Sequence, residues 1–286
     1  MFEVSFPGPG IGPFSMSSTA FTLFGHPVAW YGIIISCAMI LAFFYAMSRA
    51  KYEGVKSDDL VDLALFLIIF GIIGARLYYV IFKFNDYIAT GGSVFQNLGN
   101  TLLNIVSVWN GGLAIFGGIL AGGVTAYFVA RKKKIYYLVI LDILSPAVCM
   151  AQGIGRWGNF TNGEAYGGET DVFWRMGLKK FSGGGQFSNY FEVHPTFLYE
   201  SLWCLLGFLI MHIFYKKKKF NGQVFFFYMI WYGLGRAMIE GLRTDSLYLF
   251  GSGIRVSQLL ALVVCVAGIV FMTVFSVKNS KKAIDK

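Results

Sequence analysis

One short segment holds most of the side chains that could do chemistry in this sequence. Residues 155–167 read GRWGNFTNGEAYG, with four glycines among thirteen positions. Its candidate functional residues are one arginine, two asparagines, one glutamate and the closing glycine: Arg156, Asn159, Asn162, Glu164 and Gly167. The glycines permit backbone turns and the close approach of a ligand. Because a plain capping loop would not need an arginine, we interpret the segment as a binding site.

A second group of polar residues follows helical spacing later in the chain. Tyr232, Arg236 and Glu240 are four residues apart, and Arg243 lies three residues further on. One face of a helix would therefore carry all four. Glu240 can pair with Arg236 and orient it while leaving guanidinium donors free. An arginine held in this way inside a helix bundle suits bidentate binding of a phosphate.

The elements that position these residues must lie in a membrane. The chain has 286 residues, of which 56% are hydrophobic and 14% charged, whereas soluble domains average about 25% charged residues. The net charge is +9, but most basic residues stand in four short runs between apolar segments. This placement indicates lipid headgroups rather than nucleic acid as their partner. The four cysteines are isolated and lack ligand spacing, so we expect neither a metal nor a cofactor.

Seven apolar segments are long enough to cross a bilayer, which takes about 20 residues. They are residues 27–48, 62–83, 106–130, 135–154, 195–215, 223–243 and 256–277. The basic runs follow the first, third, fifth and seventh segments, beginning at Arg49, Arg131, Lys216 and Lys278. The positive-inside rule then places the N-terminus outside and the C-terminus in the cytoplasm. We therefore predict an all-α integral membrane protein with seven transmembrane helices. It would be a single polytopic domain over residues 1–286 with a small extracytoplasmic cap at about 155–194.

Ionisable residues at membrane depth cost about 2.5–3.5 kcal/mol each on insertion scales, so they indicate function. Within the apolar segments these are Arg76, Asp142, Glu200, Arg236 and Glu240. For Asp142 alone we favour an internal ion pair that staples helices together. In the third segment Gly118 and Gly122 stand four residues apart, a spacing that lets a second helix approach closely.

The segment at 155–167 resembles the signature of the prolipoprotein diacylglyceryl transferase family. The family pattern is close to G-R-x-G-N-F-x-N-x-E-x-x-G, and the segment matches it at every specified position. Further resemblances follow in family order through almost the whole chain. They are His26-Pro27-Val28 with Trp30-Tyr31-Gly32, Gly74-Ala75-Arg76, Trp109-Asn110-Gly111-Gly112, His194-Pro195-Thr196 with Leu198-Tyr199-Glu200, and Tyr232-Gly233 with Arg236, Glu240 and Arg243. The family has seven helices in the orientation predicted above.

The resemblance implies an enzyme of the bacterial cytoplasmic membrane whose active site faces the outer leaflet. Members of the family move the diacylglyceryl group of phosphatidylglycerol onto the lipobox cysteine thiol in a prolipoprotein signal peptide. A thioether forms and glycerol phosphate leaves, in the first step of lipoprotein maturation. The expected partners are therefore phosphatidylglycerol, prolipoprotein signal peptides and the surrounding membrane lipids.

The resemblance also implies roles for the candidate residues. We expect Arg156 and Arg236 to bind the phosphate and to stabilise the charge that grows on the leaving oxygen. Their field would also lower the pKa of the substrate thiol, which is ordinarily about 8.5. Asn159 and Tyr31 would donate hydrogen bonds to headgroup oxygens. The orienting and remaining substrate-binding residues are Glu164, Glu240, Arg243, Asn162, Gly167 and Tyr232.

The sequence departs from the family pattern at two positions. Most members carry a histidine where this chain has Phe116 and a glutamine where it has Phe197. The family histidine is a candidate general base, and here His194 is its first substitute, followed by Tyr31 and Glu164. Phe116 leaves open a non-catalytic lipid- or lipoprotein-binding paralogue. Buried charges leave open a transporter, although the polar residues gather toward one face.

Overall fold

The computed structural model describes residues 1–108, 111–180, 189–246, 248 and 253–284. Three parts of the sequence interpretation lie outside these residues: Trp109-Asn110, positions 181–188 of the predicted cap, and the end of the basic run that begins at Lys278. The chain forms two compact units, the first made of Met1–Ala46 and Leu141–Lys286 and the second of Met47–Ile140. The single polytopic domain stays a prediction.

Eight α-helices occur in the described residues. They are α1 (Trp30–Tyr52), α2 (Ser57–Phe82), α3 (Val94–Val106), α4 (Ile115–Lys132), α5 (Tyr137–Asn162), α6 (Thr196–Phe214), α7 (Gln223–Glu240) and α8 (Val256–Ile284). Five helical segments are long and apolar enough to cross a membrane: α1, α2, α5, α6 extended to Lys217, and α8 as far as Lys281. The chain is therefore a mostly helical integral membrane protein. Seven spans and the orientation of the termini stay predictions.

The third predicted span begins later than the sequence suggests. Gly111 and Gly112 both adopt positive φ, at 84° and 75°, so the backbone cannot continue a helix there and α4 starts at Ile115. The residues before this break contain the separate helix α3, which the sequence interpretation does not include. A capping box formed by Ser93 and Gln96 starts α3.

The prediction of an all-α fold is wrong for the N-terminal arm and the cap. The first unit contains an antiparallel sheet of β1 (Phe2–Phe6), β2 (Ile11–Met16), β5 (Met176–Lys180) and β6 (Phe191–Val193), in the order β2-β1-β5-β6. A separate hairpin of β3 (Thr19–Leu23) and β4 (His26–Ala29) precedes α1. In β1, apolar Phe2 and Val4 alternate with polar Glu3 and Ser5, which is the period of a strand with one buried face. Such a short alternation is a weak signal beside seven long apolar runs.

The sheet packs against the ends of α5 and α6. Its core consists of the buried side chains Phe2, Val4, Met176, Leu178, Val193 and Phe197. Phe197 stacks on Phe160 of α5 with ring centroids 4.6 Å apart and meets Trp157 edge-on at 5.4 Å. The phenylalanine at the position where the family usually has glutamine is therefore part of the core that joins the sheet to the helices.

Two tryptophans lock α6 to α7. Trp203 and Trp231 stack with ring centroids 4.4 Å apart, and each indole N–H donates to the backbone carbonyl of the other residue at 2.9 Å. Glycines make this approach possible. A Cβ on Gly207 would lie 2.4 Å from Trp231 Nε1, and one on Gly235 would lie 2.1 Å from Trp203 Nε1. The crossing fixes the two helices on which charged residues of the candidate site stand.

Asp142 staples helices, as its sequence context predicts. The carboxylate is fully buried in α5 and accepts hydrogen bonds from Lys218 Nζ at 2.9 Å and from the backbone N–H groups of Gly222 and Phe225 at 2.8 and 2.9 Å. Both N–H groups belong to the start of α7. The carboxylate therefore caps that helix from a neighbouring one and meets the positive end of its dipole.

The second unit is built on a close contact between α2 and α4. A Cβ on Gly74 would lie 2.2 Å from the Cβ of Ala121, and one on Gly117 would lie 2.3 Å from the Gly74 carbonyl oxygen. Gly118 and Gly122 also face α2, but a Cβ on either would meet its nearest atom at 3.5 or 3.8 Å. The close helix approach predicted from small residues is confirmed, and Gly117 with Ala121 forms its tightest part.

Candidate active site

Helix α5 continues through the first part of the glycine-rich segment. Gly155 and Gly158 lie inside the helix, and among the segment's glycines only Gly163 has a positive φ, at 60°. A Cβ on Gly158 would lie 2.7 Å from the ring of Tyr31 in α1. The helical glycines therefore allow close packing and do not bend the chain. At Gly158 the absence of a side chain lets the Tyr31 ring pack against α5, two residues after Arg156.

Glu200 in α6 joins the two arginines of the predicted phosphate site. Arg156 Nη2 makes a close contact with Glu200 Oε1, and Arg236 Nη1 donates to Oε2 at 2.9 Å. Only 3% of the Glu200 side chain is exposed, whereas the Arg156 and Arg236 side chains are 20% and 15% exposed. One buried carboxylate therefore holds both guanidinium groups, and both arginine side chains are more exposed than the carboxylate.

Glu240 supports Arg236 one helical turn away. Its Oε2 lies 2.6 Å from Arg236 Nη2. The two atoms form an ion pair without the alignment of a hydrogen bond, so Oε2 has no hydrogen-bond partner among the described residues. Oε1 accepts from Ser246 Oγ at 2.9 Å, and the Glu240 backbone carbonyl contacts the Arg255 side chain. The pairing of Glu240 with Arg236 follows the sequence prediction.

Both arginines keep unused donors. In the part of the chain that the structure describes, Nε of Arg156 and Nε of Arg236 make no hydrogen bond. The two guanidinium charges are balanced by the carboxylates of Glu200 and Glu240, which limits the cost of burying the cluster. An anion that enters the cluster would meet charged N–H donors that are already in position.

Glu164 orients the amides beside Arg156. Its Oε1 accepts from Asn159 Nδ2 at 3.0 Å and from Asn162 Nδ2 at 3.2 Å. The oxygen of Asn159 in turn accepts from Arg156 Nη1 at 3.4 Å. The carboxylate therefore fixes the direction of the Asn159 amide, and one N–H of that amide is left for another partner.

Gly167 ties the segment to two other parts of the first unit. Its N–H donates to the His194 carbonyl at 2.9 Å, and the next N–H, of Gly168, donates to the Leu242 carbonyl at 2.9 Å. A Cβ on Gly167 would lie 2.7 Å from the Cβ of His194 and 3.0 Å from the Leu242 carbonyl oxygen. A side chain at this position would therefore force these backbones apart.

Arg243 has a carboxylate partner of its own beyond the end of α7. Its Nε and Nη2 donate to the two oxygens of Asp245 at 2.9 and 2.7 Å. The hydrogen bonds from Arg243 lower the pKa of Asp245. The Arg243 backbone pairs with Gly167 in an isolated antiparallel bridge. The structure therefore places Arg243 where it braces the glycine-rich segment.

His194 stands at one end of a chain of aromatic hydrogen bonds. Trp174 Nε1 donates to Tyr199 Oη at 2.7 Å, and Tyr199 Oη lies 3.1 Å from His194 Nδ1. An indole can only donate, so Tyr199 accepts from Trp174, and the tautomer of His194 decides which atom donates between Oη and Nδ1. The contact with Tyr199 engages Nδ1 of His194 and leaves Nε2 without a hydrogen-bond partner among the described residues.

The predicted residues fall into two connected groups. The first group surrounds the arginines and contains Arg156, Asn159, Asn162, Glu164, Arg236 and Glu240, with Tyr31 against α5. The second group, Gly167, His194 and Arg243, is linked through the backbone. Tyr232 stacks on Tyr228 with ring centroids 5.7 Å apart. Phe116 belongs to the second unit, in the first turn of α4.

Glu200 is the residue that the sequence does not assign to the site. The sequence marks it as an ionisable residue in an apolar segment, and it is the one carboxylate among the 19 residues of α6. A single carboxylate in an apolar helix is a signal that the sequence does offer, because burying such a group requires a cationic partner. Spacing rules could not identify the partners, which stand on two other helices.

Comparison with known proteins agrees with the resemblance of the signature segment. A sequence model of the family described as prolipoprotein diacylglyceryl transferase matches residues 18–274. The chain is 42% identical to the phosphatidylglycerol–prolipoprotein diacylglyceryl transferase of Finegoldia magna over 89% of this chain and 94% of that protein. It is 45% identical to the protein of the same name from Enterococcus faecalis, over 91% of this chain and 90% of that protein. For the Clostridioides difficile protein the identity is 40%, over 92% and 97%. The chain therefore belongs to the prolipoprotein diacylglyceryl transferase family.

Proposed function

We propose that this chain transfers the diacylglyceryl group of phosphatidylglycerol to the lipobox cysteine of a prolipoprotein signal peptide. The relatives described above are named for phosphatidylglycerol and prolipoprotein as substrates. The observation that carries the proposal for this chain is the pair of arginines held by one buried carboxylate. Arg156 and Arg236 both contact Glu200 and both keep a free Nε–H donor among the described residues.

The arginine pair binds the phosphate and stabilises its departure. The phosphodiester of the lipid carries one negative charge, and the leaving phosphate monoester gains a second one above its pKa of about 6. Guanidinium donors therefore bind the leaving group more strongly than the intact lipid, which is the difference in binding that accelerates a reaction. Because Glu200 holds Arg156 and Arg236 before the lipid arrives, little reorganisation is needed as the charge develops.

The substrate supplies the nucleophile. The cysteine sulfur attacks the glyceryl carbon that bears the phosphate ester, the C–S bond forms as the C–O bond breaks, and the bonding pair leaves on the phosphate oxygen. The thiol proton ends on the released glycerol phosphate or in solvent. A thiol with a pKa of about 8.5 is a few per cent ionised at neutral pH, and guanidinium N–H groups that lie closer to the sulfur than the carboxylates of Glu200 and Glu240 raise that fraction. The reaction therefore proceeds without a histidine at position 116.

The remaining polar residues position the lipid and the arginines. Tyr31 makes no hydroxyl hydrogen bond among the described residues, and its ring rests on Gly158, so it is available to donate to a headgroup oxygen. Asn159, oriented by Glu164, offers its second N–H. The hydrogen bond between Tyr199 and His194 supports a positioning role for His194, which holds the strand-to-helix junction beside Gly167.

The proposed topology has seven spans, with α4 and α7 completing the set. Each of these two helices has 18 residues, a rise of about 27 Å that approaches the hydrocarbon thickness of about 30 Å. The basic runs after alternate spans support a cytoplasmic C-terminus. In the bacterial cytoplasmic membrane, this orientation puts the candidate site and the sheet on the outer-leaflet side.

The test is transfer by the purified full-length protein. The protein is incubated with phosphatidylglycerol and a synthetic lipobox peptide, and intact-mass spectrometry follows the peptide. We expect a mass gain equal to one diacylglyceryl group and an equal amount of released glycerol phosphate. A peptide with serine in place of the cysteine is the matched control and should stay unmodified. Binding of phosphatidylglycerol with no modified peptide would instead indicate a lipid-binding paralogue and overturn the proposal.

A further inference from the structure

Helix α3 separates its apolar and polar residues into two halves. On a helical projection at 100° per residue, one half contains Val94, Phe95, Leu98, Leu102, Leu103, Ile105 and Val106. The other half contains Gln96, Asn97, Asn100, Thr101 and Asn104. No charged residue occurs on either half, so the helix is amphipathic without the cationic face of a typical surface-binding helix.

The polar half of α3 contacts the segment of the chain that precedes the helix. Thr101 Oγ1 accepts from the Ala89 N–H at 3.0 Å, and the Asn97 side chain exchanges two 3.0 Å hydrogen bonds with the backbone of Gly92. The preceding segment thus satisfies Asn97 and Thr101, whereas Asn100 on the same half stays exposed.

The apolar half faces outward. Phe95 is 87% exposed and Val94 81%, and Leu98, Leu102, Leu103 and Val106 are each more than half exposed. A helix on the surface of a water-soluble protein has the opposite arrangement, with its apolar stripe inside. An apolar face of this size marks an interaction surface.

Arg76 fastens α3 to the end of a membrane helix. All five of its N–H donors are engaged by backbone carbonyls, and no carboxylate takes part. The acceptors are the carbonyl oxygens of Asn104, Ile105, Ser107, Gly111 and Gly112, at 2.6–3.2 Å. Asn104 and Ile105 belong to the last turn of α3 and Ser107 is its C-cap, so the cation also meets the negative end of the helix dipole.

The position of this anchor fixes the depth of α3. Arg76 lies six residues before the end of α2 at Phe82, a distance of about 9 Å along the helix. α2 is one of the helices able to cross a membrane, so its end lies near a membrane surface. The exposed side chains of Ile81 and Phe82, each 70% exposed, continue the apolar surface of α2 up to the segment that leads to α3.

We propose that α3 lies in the plane of the membrane interface, with its apolar half embedded at the boundary between phospholipid headgroups and acyl chains. The partner is the bilayer that surrounds α2, because the exposed apolar face adjoins a surface that lipid already covers. The polar half is turned toward the chain's own 87–92 segment and the water beyond it. Since α3 has no cationic residue, its association with the membrane does not depend on anionic lipid.

The test measures the depth of spin labels on the two halves of α3. The four native cysteines (Cys37, Cys149, Cys204 and Cys265) are replaced by alanine in the full-length protein. Single labels are then introduced at Leu98→Cys and Leu102→Cys, with Asn100→Cys as the matched control on the exposed part of the polar half. All three positions are exposed, so labelling disturbs no buried contact. The labelled proteins are reconstituted in nanodiscs of phosphatidylcholine alone and of phosphatidylcholine with phosphatidylglycerol.

Accessibility to oxygen, which concentrates among acyl chains, is compared with accessibility to a water-soluble nickel chelate. We expect an oxygen-to-nickel ratio several-fold higher at positions 98 and 102 than at position 100, in both lipid compositions. Equal ratios at the three positions would show that both halves have the same environment and would overturn the proposal. Exclusion of both reagents from 98 and 102 would show a protein cover, such as a second copy of this chain, and would overturn it as well. A ratio that rises only with phosphatidylglycerol would contradict seating by the apolar face.

Discussion

Glu200 and Arg236, on neighbouring helices, are joined by a 2.9 Å hydrogen bond from Nη1 to Oε2. The other oxygen of the same carboxylate contacts Arg156, so one carboxylate sets the separation of the two guanidinium groups. The reciprocal hydrogen bonds of Trp203 and Trp231 fix the crossing of the helices that carry Glu200 and Arg236. The phosphate site that we propose thus depends on a buried residue that need not touch the substrate.

Glu200→Gln should greatly slow transfer while the protein still inserts and accumulates. The amide has nearly the same shape, but it can accept from only one arginine and turns an N–H group toward the other. A transition-state donor that is no longer held in place typically costs about 10²–10³-fold in rate, so we expect a loss of at least about 10²-fold. Initial rates with the lipobox peptide at saturating phosphatidylglycerol measure this. Glu169→Gln, at an exposed glutamate, is the control. Equal rates for the two variants would show that transfer does not depend on the Glu200 carboxylate.

Arg156→Ala and Arg236→Ala should each abolish measurable transfer without loss of protein from the membrane. A single neutral oxyanion donor is worth about 3–4 kcal/mol of transition-state stabilisation, and a charged donor at the phosphate is worth at least as much. Arg→Lys should restore little activity, because a point charge cannot reproduce the guanidinium fork. Arg131→Ala, at an exposed arginine at the end of α4, should transfer normally. Near-normal turnover by Arg236→Ala would contradict the phosphate-binding role.

Gly235→Ala should lower the thermal stability of the protein in detergent. The new Cβ would lie 2.1 Å from Trp203 Nε1, so the stacked tryptophans must separate, and overpacking of this kind costs about 1–3 kcal/mol. Gly71→Ala is the matched control, because a Cβ there would meet nothing within 4 Å and alanine favours a helix. The Tm should fall for Gly235→Ala and stay the same or rise for Gly71→Ala. Equal Tm values would show that the Trp203–Trp231 crossing adapts without cost.

The basic loops should lie in the cytoplasm. In a background without the native cysteines, Lys132→Cys and Lys219→Cys should react with a membrane-impermeant maleimide only after the cells are permeabilised. Phe24→Cys, at the 93% exposed tip of the hairpin before α1, should react in intact cells. Reaction of either lysine position in intact cells would show that the positive-inside reading of this chain is incorrect.

The sequence predicts the helices well because long apolar runs and charge placement are strong signals. The prediction that Glu240 pairs with Arg236 agrees with the structure because the two residues share one helix, where spacing translates directly into contact. Glu200 gives no such signal, since its partners lie on α5 and α7. The same reason explains why the sequence does not predict the sheet. Strand β1 is five residues long, and its neighbour β5 lies far along the chain, so a short alternation of apolar residues could not reveal the pairing.

Phe116 should not prevent activity, and Phe116→His should raise the transfer rate or change its pH dependence. If the arginines lower the thiol pKa by one unit, which corresponds to about 1.4 kcal/mol, a substantial fraction of thiolate exists at neutral pH without a dedicated base. The natural protein should then gain rate with rising pH only as the thiol ionises. A histidine at position 116 would add general-base catalysis of about 10²-fold and a second inflection near the usual histidine pKa of about 6.5.

The measurement for this prediction is the rate of transfer as a function of pH, from pH values below the histidine pKa to values above that of a free thiol. Phe128→His, at an exposed position of the same helix α4, is the control for the effect of a histidine by itself and should leave the profile unchanged. The proposed mechanism requires that the natural protein transfer lipid at neutral pH. If it shows no transfer at any pH and only Phe116→His is active, the arginine pair alone is insufficient. The natural chain is then a degenerate member of its family rather than an enzyme.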